Sequence, residues 1–98
     1  MANIIEICEN IKNNILKEKF CGSDEDYLYE YDFYSKETKV FDIEDESYLF
    51  NTTLKFDRTF EESLLQIIHK YMYNNRLEDY YYMNIELKDR LIILLKGL

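Results

Sequence analysis

Between Tyr27 and Phe33 every second residue is aromatic: Tyr27, Tyr29, Tyr31 and Phe33 alternate with Leu28, Glu30 and Asp32. An extended chain puts alternate side chains on opposite faces, whereas a helix would split these four rings between two sides of its axis. The segment therefore reads as a strand, with the tyrosines turned to a core and Leu28, Glu30, Asp32 and Tyr34 on the other face. Any fold that contains it must bring something to cover the rings.

The flanking segments have a different period. Ile4, Ile5, Cys8, Ile11, Ile15 and Leu16 recur at helical spacing, which predicts a helix over about residues 3–19, with Lys17 and Lys19 at its C-terminal end and Gly22 as its stop. After the aromatic strand, Ser35-Lys36-Glu37 reads as a turn. A second strand follows over about 39–44, with Phe41 and Ile43 on one face and Val40, Asp42 and Glu44 on the other. Asp45-Glu46 makes the next turn. A third strand over about 47–56 offers Tyr48, Phe50, Leu54 and Phe56 to the core. Helical spacing returns at Phe60, Leu64, Ile67, Ile68 and Tyr71, opened by a capping box of Thr59 with Glu62. A last helix over about 84–96 carries Leu87, Leu91, Ile92, Leu94 and Leu95, with Asn84 as its cap; residues 77–83 fit a short helix, a strand or an extended link. The order is αβββαα. It predicts a single α+β domain over residues 1–98, with a three-stranded antiparallel sheet and helices packed on one face. Two glycines and no proline in 98 residues leave little material for linkers or long irregular loops.

Charge is distributed as unevenly as the periods. The chain carries −8. Residues 24–46 hold ten carboxylates (Asp24, Glu25, Asp26, Glu30, Asp32, Glu37, Asp42, Glu44, Asp45 and Glu46) against Lys36 and Lys39, and the rest of the chain is neutral, with ten acids and ten bases. On the strand registers above, Glu30, Asp32, Asp42 and Glu44 project together from the open sheet face, with Asp24, Glu25, Asp26, Asp45 and Glu46 extending the field at the strand ends and Tyr34 beside it. Residues two apart on a strand lie about 6.6–6.8 Å apart and neighbouring strands about 4.8 Å, so the face would present rows of anions at a spacing near that of a phosphate backbone. Like charges this close destabilise a sheet; the functional reading is a surface for a basic partner, and the alternative is a merely solvated face. Ten tyrosines and no tryptophan suit a binding surface as well as a core.

The same charge argues against direct nucleic-acid binding, since no basic stripe offsets it. Met1-Ala2-Asn3 lacks the pattern of a secretion signal, and the longest apolar run, Leu91 to Leu95, is far short of the roughly 20 residues a membrane span needs. With Cys8 and Cys21 in no metal or redox spacing, both thiols are expected reduced, Cys8 in the core and Cys21 exposed, in a cytoplasmic protein without a cofactor. No enzyme is expected. His69 is the only histidine, no glycine-rich phosphate loop occurs, and the calcium loop spacing is missing around Asp24-Glu25-Asp26 and Asp42 to Glu46. A helix followed by three strands resembles the PD-(D/E)xK nucleases, and Glu37-Thr38-Lys39 spells E-x-K. Here that triplet falls in the first turn, while the third strand has Thr53-Leu54-Lys55 with no acid.

A small, acidic, tyrosine-rich, proline-free chain of order αβββαα resembles the phage-encoded anti-CRISPR proteins of the type II-A DNA-mimic kind. The likeness spans the chain in element order and charge, and no site residue is carried over from it. It implies an inhibitor that occupies the nucleic-acid channel of a Cas effector. Antitoxins, immunity proteins and other acidic inhibitors share the same features. A homo-oligomeric structural subunit, such as a homodimer, is the alternative suggested by a last helix with apolar residues on both faces.

Overall fold

In the computed structural model, which describes residues 3–17 and 19–98, the aromatic alternation becomes the second of four strands rather than the first of three. The elements are α1 (Ile4–Lys17), β1 (Phe20–Ser23), β2 (Tyr27–Asp32), β3 (Glu37–Asp42), β4 (Tyr48–Thr53), α2 (Arg58–Asn74), a 3-10 helix (Glu78–Met83) and α3 (Asn84–Lys96). The order αββββαα keeps the α+β class and corrects the strand count. The four strands form an antiparallel meander in the order β1-β2-β3-β4. The expected first helix and leader reading include residues 1, 2 and 18, which lie outside the described residues.

β1 escapes a periodicity reading because four residues cannot establish a period. Its Gly22 is a strand residue rather than a helix stop. There β1 passes so close under α2 that a Cβ would lie 2.4 Å from Ser63 Oγ and 3.2 Å from the Tyr31 ring. Any larger residue would make Ser63 Oγ or the Tyr31 ring give way. The tight turns use other residues: Lys36, Glu46 and Arg76 hold the left-handed backbone, at φ 60°, 59° and 56°.

The helices cover one face of the sheet, over β1 and the adjoining part of β2. Ile7, Cys8, Ile11 and Ile15 from α1, Phe60, Leu64, Ile68 and Met72 from α2, and Leu87, Leu91 and Leu95 from α3 converge with Phe20, Tyr31 and Phe33 in one core. Phe60 is its hub. Its ring meets Phe20, Tyr31 and Phe33 edge-on at 5.0, 5.1 and 6.0 Å and Phe56 at 4.8 Å, the arrangement that aromatic quadrupoles favour. The cap of α2 lies two residues before the expected Thr59: Asp57 takes that place, its Oδ1 accepting from Phe60 N–H at 3.1 Å. Asn84 does not cap α3, which follows the 3-10 helix directly. α3 buries the single stripe Leu87, Leu91 and Leu95, and leaves Ile85 and Ile93 exposed.

Beyond this shelter Thr38 and Val40 of β3 are still buried, and β4 is the uncovered strand. β4 packs chiefly on β3, and Tyr48, Leu49 and Phe50 are each between 43% and 56% exposed. A register shift at Val40/Phe41 inserts Leu49 as the extra residue of a bulge in β4. The molecule is correspondingly long, 45 × 27 × 21 Å.

Candidate functional site: the acidic end of the sheet

The antiparallel register decides where the carboxylates go. Tyr27, Tyr29 and Tyr31 stand opposite Asp42, Val40 and Thr38, and directly opposed residues share a face. Since Tyr31 and Val40 are buried, Asp42 lies on the helix side. Glu30 and Asp32 lie on the open side with Glu37, Lys39 and Phe41. β3 is thus inverted by one residue from the expected register, which flips every side chain. Read alone, β3 offers Phe41 as its largest apolar residue. Pairing with the tyrosine strand turns Phe41 out, where it packs edge-on against Tyr48 at 5.9 Å.

The expected row of Glu30, Asp32, Asp42 and Glu44 on one open face is therefore not formed. Glu30 lies opposite Lys39 and within 3.5 Å of the Lys19 ammonium, so its charge is locally balanced. Asp32 closes the β2–β3 turn, accepting from the N–H groups of Tyr34 and Ser35 at 2.9 and 3.2 Å. Those two bonds hold its carboxyl below the usual range. Tyr34 sits in that same turn, exposed. Glu44 is in the β3–β4 turn, not on the sheet.

What the fold brings together instead is one end of the meander. The β1–β2 and β3–β4 turns lie side by side there, joined by a hydrogen bond from Ile43 N–H to the Asp26 carbonyl at 3.3 Å. This end collects Asp24, Glu25, Asp26, Asp42, Glu44, Asp45 and Glu46. None of the seven has an ion-pair partner among the described residues, and no lysine or arginine occurs in 20–35 or 40–54.

Three of the seven have structural work. Asp24 Oδ1 accepts from the N–H groups of Asp26 and Tyr27 at 2.9 and 2.8 Å, and its Oδ2 from the Tyr29 hydroxyl. Partial burial works to raise its pKa, but these bonds outweigh it and hold the carboxyl below the usual range. Asp42 Oδ1 accepts from Glu44 and Asp45 N–H at 2.8 and 3.3 Å. Asp45 Oδ1 takes the Ser47 hydroxyl at 2.7 Å and its N–H at 2.9 Å, which lower its pKa. Such Asx arrangements are how aspartate stabilises turns. Glu25, Asp26, Glu44 and Glu46 accept no side-chain hydrogen bond among the described residues, and they are the carboxylates left over for a partner.

Burial along β2 falls steadily toward this end. Tyr31 is buried, Tyr29 half-buried and Tyr27 38% exposed, so the expected all-core tyrosine row is core at one end only. Beside these rings a groove of about 210 Å³ opens between the sheet and the segment entering α2. Tyr27, Tyr29 and Phe50 line it with Thr38, Lys55 and Asp57. Burial first, and then the carboxylates Asp24 and Asp57, push the ionisation of the Tyr29 and Tyr31 hydroxyls well up. Asp57 and Phe50 could not be assigned to a site from the sequence. One is a helix cap and the other read as core, and only the crossing of the chain over the sheet sets them beside Tyr27.

Elsewhere, Cys8 is buried and Cys21 exposed, both free. His69 is half-buried, its ring 4.6 Å from that of Tyr81. Among the described residues no group of three or more His, Cys, Asp or Glu side chains could hold a metal ion, and no helix is long and apolar enough to cross a membrane. Comparison with protein-family models, curated proteins and solved structures gave no match.

Proposed function

We propose that this protein is an inhibitor that binds a basic, nucleic-acid-binding protein through the acidic end of its sheet. The observation that carries the reading is the convergence of seven carboxylates, without a cation, on two adjacent turns, four of them having no side-chain role in those turns. Turns alone account for Asp24, Asp42 and Asp45. They do not account for Glu25, Asp26, Glu44 and Glu46, whose mutual repulsion is a cost to the fold. A protein that holds phosphates with lysine and arginine offers the complementary surface, and association through it is fast and salt-dependent. A Cas effector is the partner that the anti-CRISPR resemblance implies. The mimicry would come from a cluster at the sheet's end, not from rows along its face.

The test is titration into candidate Cas effectors, with and without guide RNA, at several salt concentrations. Binding should weaken as salt rises. The variant E25Q/D26N/E44Q/E46Q should bind at least about fourfold more weakly, each lost contact with a cation counting for about 0.2–1 kcal/mol. E30Q should change little, because Lys19 and Lys39 already balance that charge. Full-strength binding by the quadruple variant would end the proposal.

A second reading, self-association, has its own observation. β4 is an edge strand without charge or proline over Tyr48–Thr53 and with exposed Tyr48, Leu49 and Phe50, and such edges invite pairing. Sedimentation over a range of concentrations separates the two: a salt-indifferent dimer favours assembly, a monomer favours inhibition.

A further inference from the structure

The groove beside Tyr27 has a chemistry of its own. Its rings form a close-set row: Tyr27 and Tyr29 stand 6.3 Å apart, centroid to centroid, and Tyr29 and Tyr31 6.2 Å. Phe50, 49% exposed, faces the same hollow from β4. Two carboxylates stand against these rings. Asp57 lines the groove; its Oδ1 is used in capping α2, and its Oδ2 has no hydrogen-bond partner among the described residues. Asp24 borders the groove through its bond from the Tyr29 hydroxyl. Lys55, an exposed residue, also lines the groove and balances Asp57, so the net negative sign comes from Asp24 beside Tyr29. Thr38, part of the lining, is 3% exposed, and its Oγ1 is buried with no hydrogen-bond partner.

We infer that this groove receives an arginine side chain of the basic partner, its guanidinium against the tyrosine rings and paired with Asp57. The inference rests on the reading of the acidic end as a docking surface, and it names what that surface would hold. About 210 Å³ is smaller than the roughly 300 Å³ at which small-molecule sites begin and suits a single side chain. An apolar side chain would strip water from Asp57 and Lys55 and return no hydrogen bond. A guanidinium is planar, weakly hydrated and five-donor, so it can lie on a ring while bonding a carboxylate edge-on. A lysine ammonium is compact and strongly hydrated and does this less well. The groove also adjoins the acidic end, Tyr27 lying opposite Asp42, so one partner surface can engage both.

The probe is a capped peptide of three Gly-Arg repeats, titrated into the isotopically labelled protein and followed by amide NMR. Its lysine and citrulline counterparts run in parallel. The arginine peptide should shift the amides around Tyr27, Phe50 and Asp57 and bind about three- to tenfold more tightly than the lysine peptide, as expected for a desolvated cation on an aromatic face. The citrulline peptide, of the same shape but uncharged, should not bind. D57N keeps the helix cap, since asparagine caps as well as aspartate, and Tyr27 is exposed enough for Y27A to fold, which circular dichroism verifies. Each should remove most of the arginine preference. Equal binding of the arginine and lysine peptides, with shifts confined to the two turns and lost only in E25Q/D26N/E44Q/E46Q, would overturn the groove while leaving the acidic end as a docking surface. Binding of none of the peptides would likewise reject the groove, and the titration into whole basic proteins then judges the acidic end separately.

Discussion

The two halves of this sheet are continuous in hydrogen bonding and opposite in what holds them. Under the helices, β1 and the far end of β2 give Phe20 and Tyr31, and the turn that follows gives Phe33, to the core around Phe60. Burial of large rings supplies roughly 1.5–3 kcal/mol per side chain. Past Tyr29 the helices end: β4 carries exposed rings and a bulge, and the β1–β2 and β3–β4 turns at this end are acidic. There the sheet is held by strand pairing and by aspartates that close turns. The difference teaches where the chain can place unfavourable charge. Repulsion among seven carboxylates is tolerable in a region whose geometry is imposed from the other half, and it could not be accommodated near Phe60.

That contrast can be broken, most directly at its two extreme phenylalanines. Phe60→Ala should lose about 3–5 kcal/mol, the usual cost of removing a fully buried ring. That is a large share of the roughly 5–15 kcal/mol available to a domain. Phe50→Ala, on the uncovered half, should lose less than about 1 kcal/mol. Urea unfolding of both variants checks this, and similar losses would mean that the two halves are not distinct.

A smaller effect is expected where the covered half is tightest. Gly22→Ala should cost about 1–3 kcal/mol by overpacking against Ser63 Oγ and the Tyr31 ring. Adding Ser63→Ala should restore most of it. If the double variant is no better than the single one, the close approach of the Tyr31 ring and not the contact with α2 fixes the glycine.

The smallest effect lies at the seam, where Asp24 ties the acidic end to Tyr29. Its folded pKa is depressed, so its stabilisation is complete above the unfolded value of about 3.9 and is lost as pH falls through the folded value. Asp24→Asn keeps an oxygen for the turn N–H groups and cannot titrate. Thermal melts from pH 7 downward should show wild type losing stability below about pH 4 more steeply than the variant. Equal slopes would assign the acid sensitivity to other carboxylates, with Asp32 and Asp45, also depressed, next to be replaced.

How much of this was legible beforehand varied with the range of the physics involved. The helical stripes of α1 and α2 were readable because each buries one face, and the period records it. Tyr27 to Phe33 was a strand for the same reason. α3 was readable as a helix, but its apolar residues on both faces hid the single buried stripe Leu87, Leu91 and Leu95. β1 was not readable: four residues containing Gly22 carry no period, and the glycine's reason lies in Ser63, forty-one positions away. The 3-10 helix over Glu78–Met83 has no buried residue, so no hydrophobic pattern marks it.

For the candidate site, the sequence by itself determined that the negative charge is confined to one quarter of the chain and interleaved with aromatic residues. It also determined that the aspartates fall where turns need them. Only the tertiary structure decided which of those charges meet. Local alternation says that two residues of one strand share a face, but not which face a neighbouring strand presents. A shift of one residue in pairing exchanges Val40 for Phe41 and carries Asp42 to the opposite side. The antiparallel register made that choice by setting Val40 against Tyr29, and the meander then brought its first and third turns together at one end, gathering seven carboxylates that the sequence holds in two separate groups.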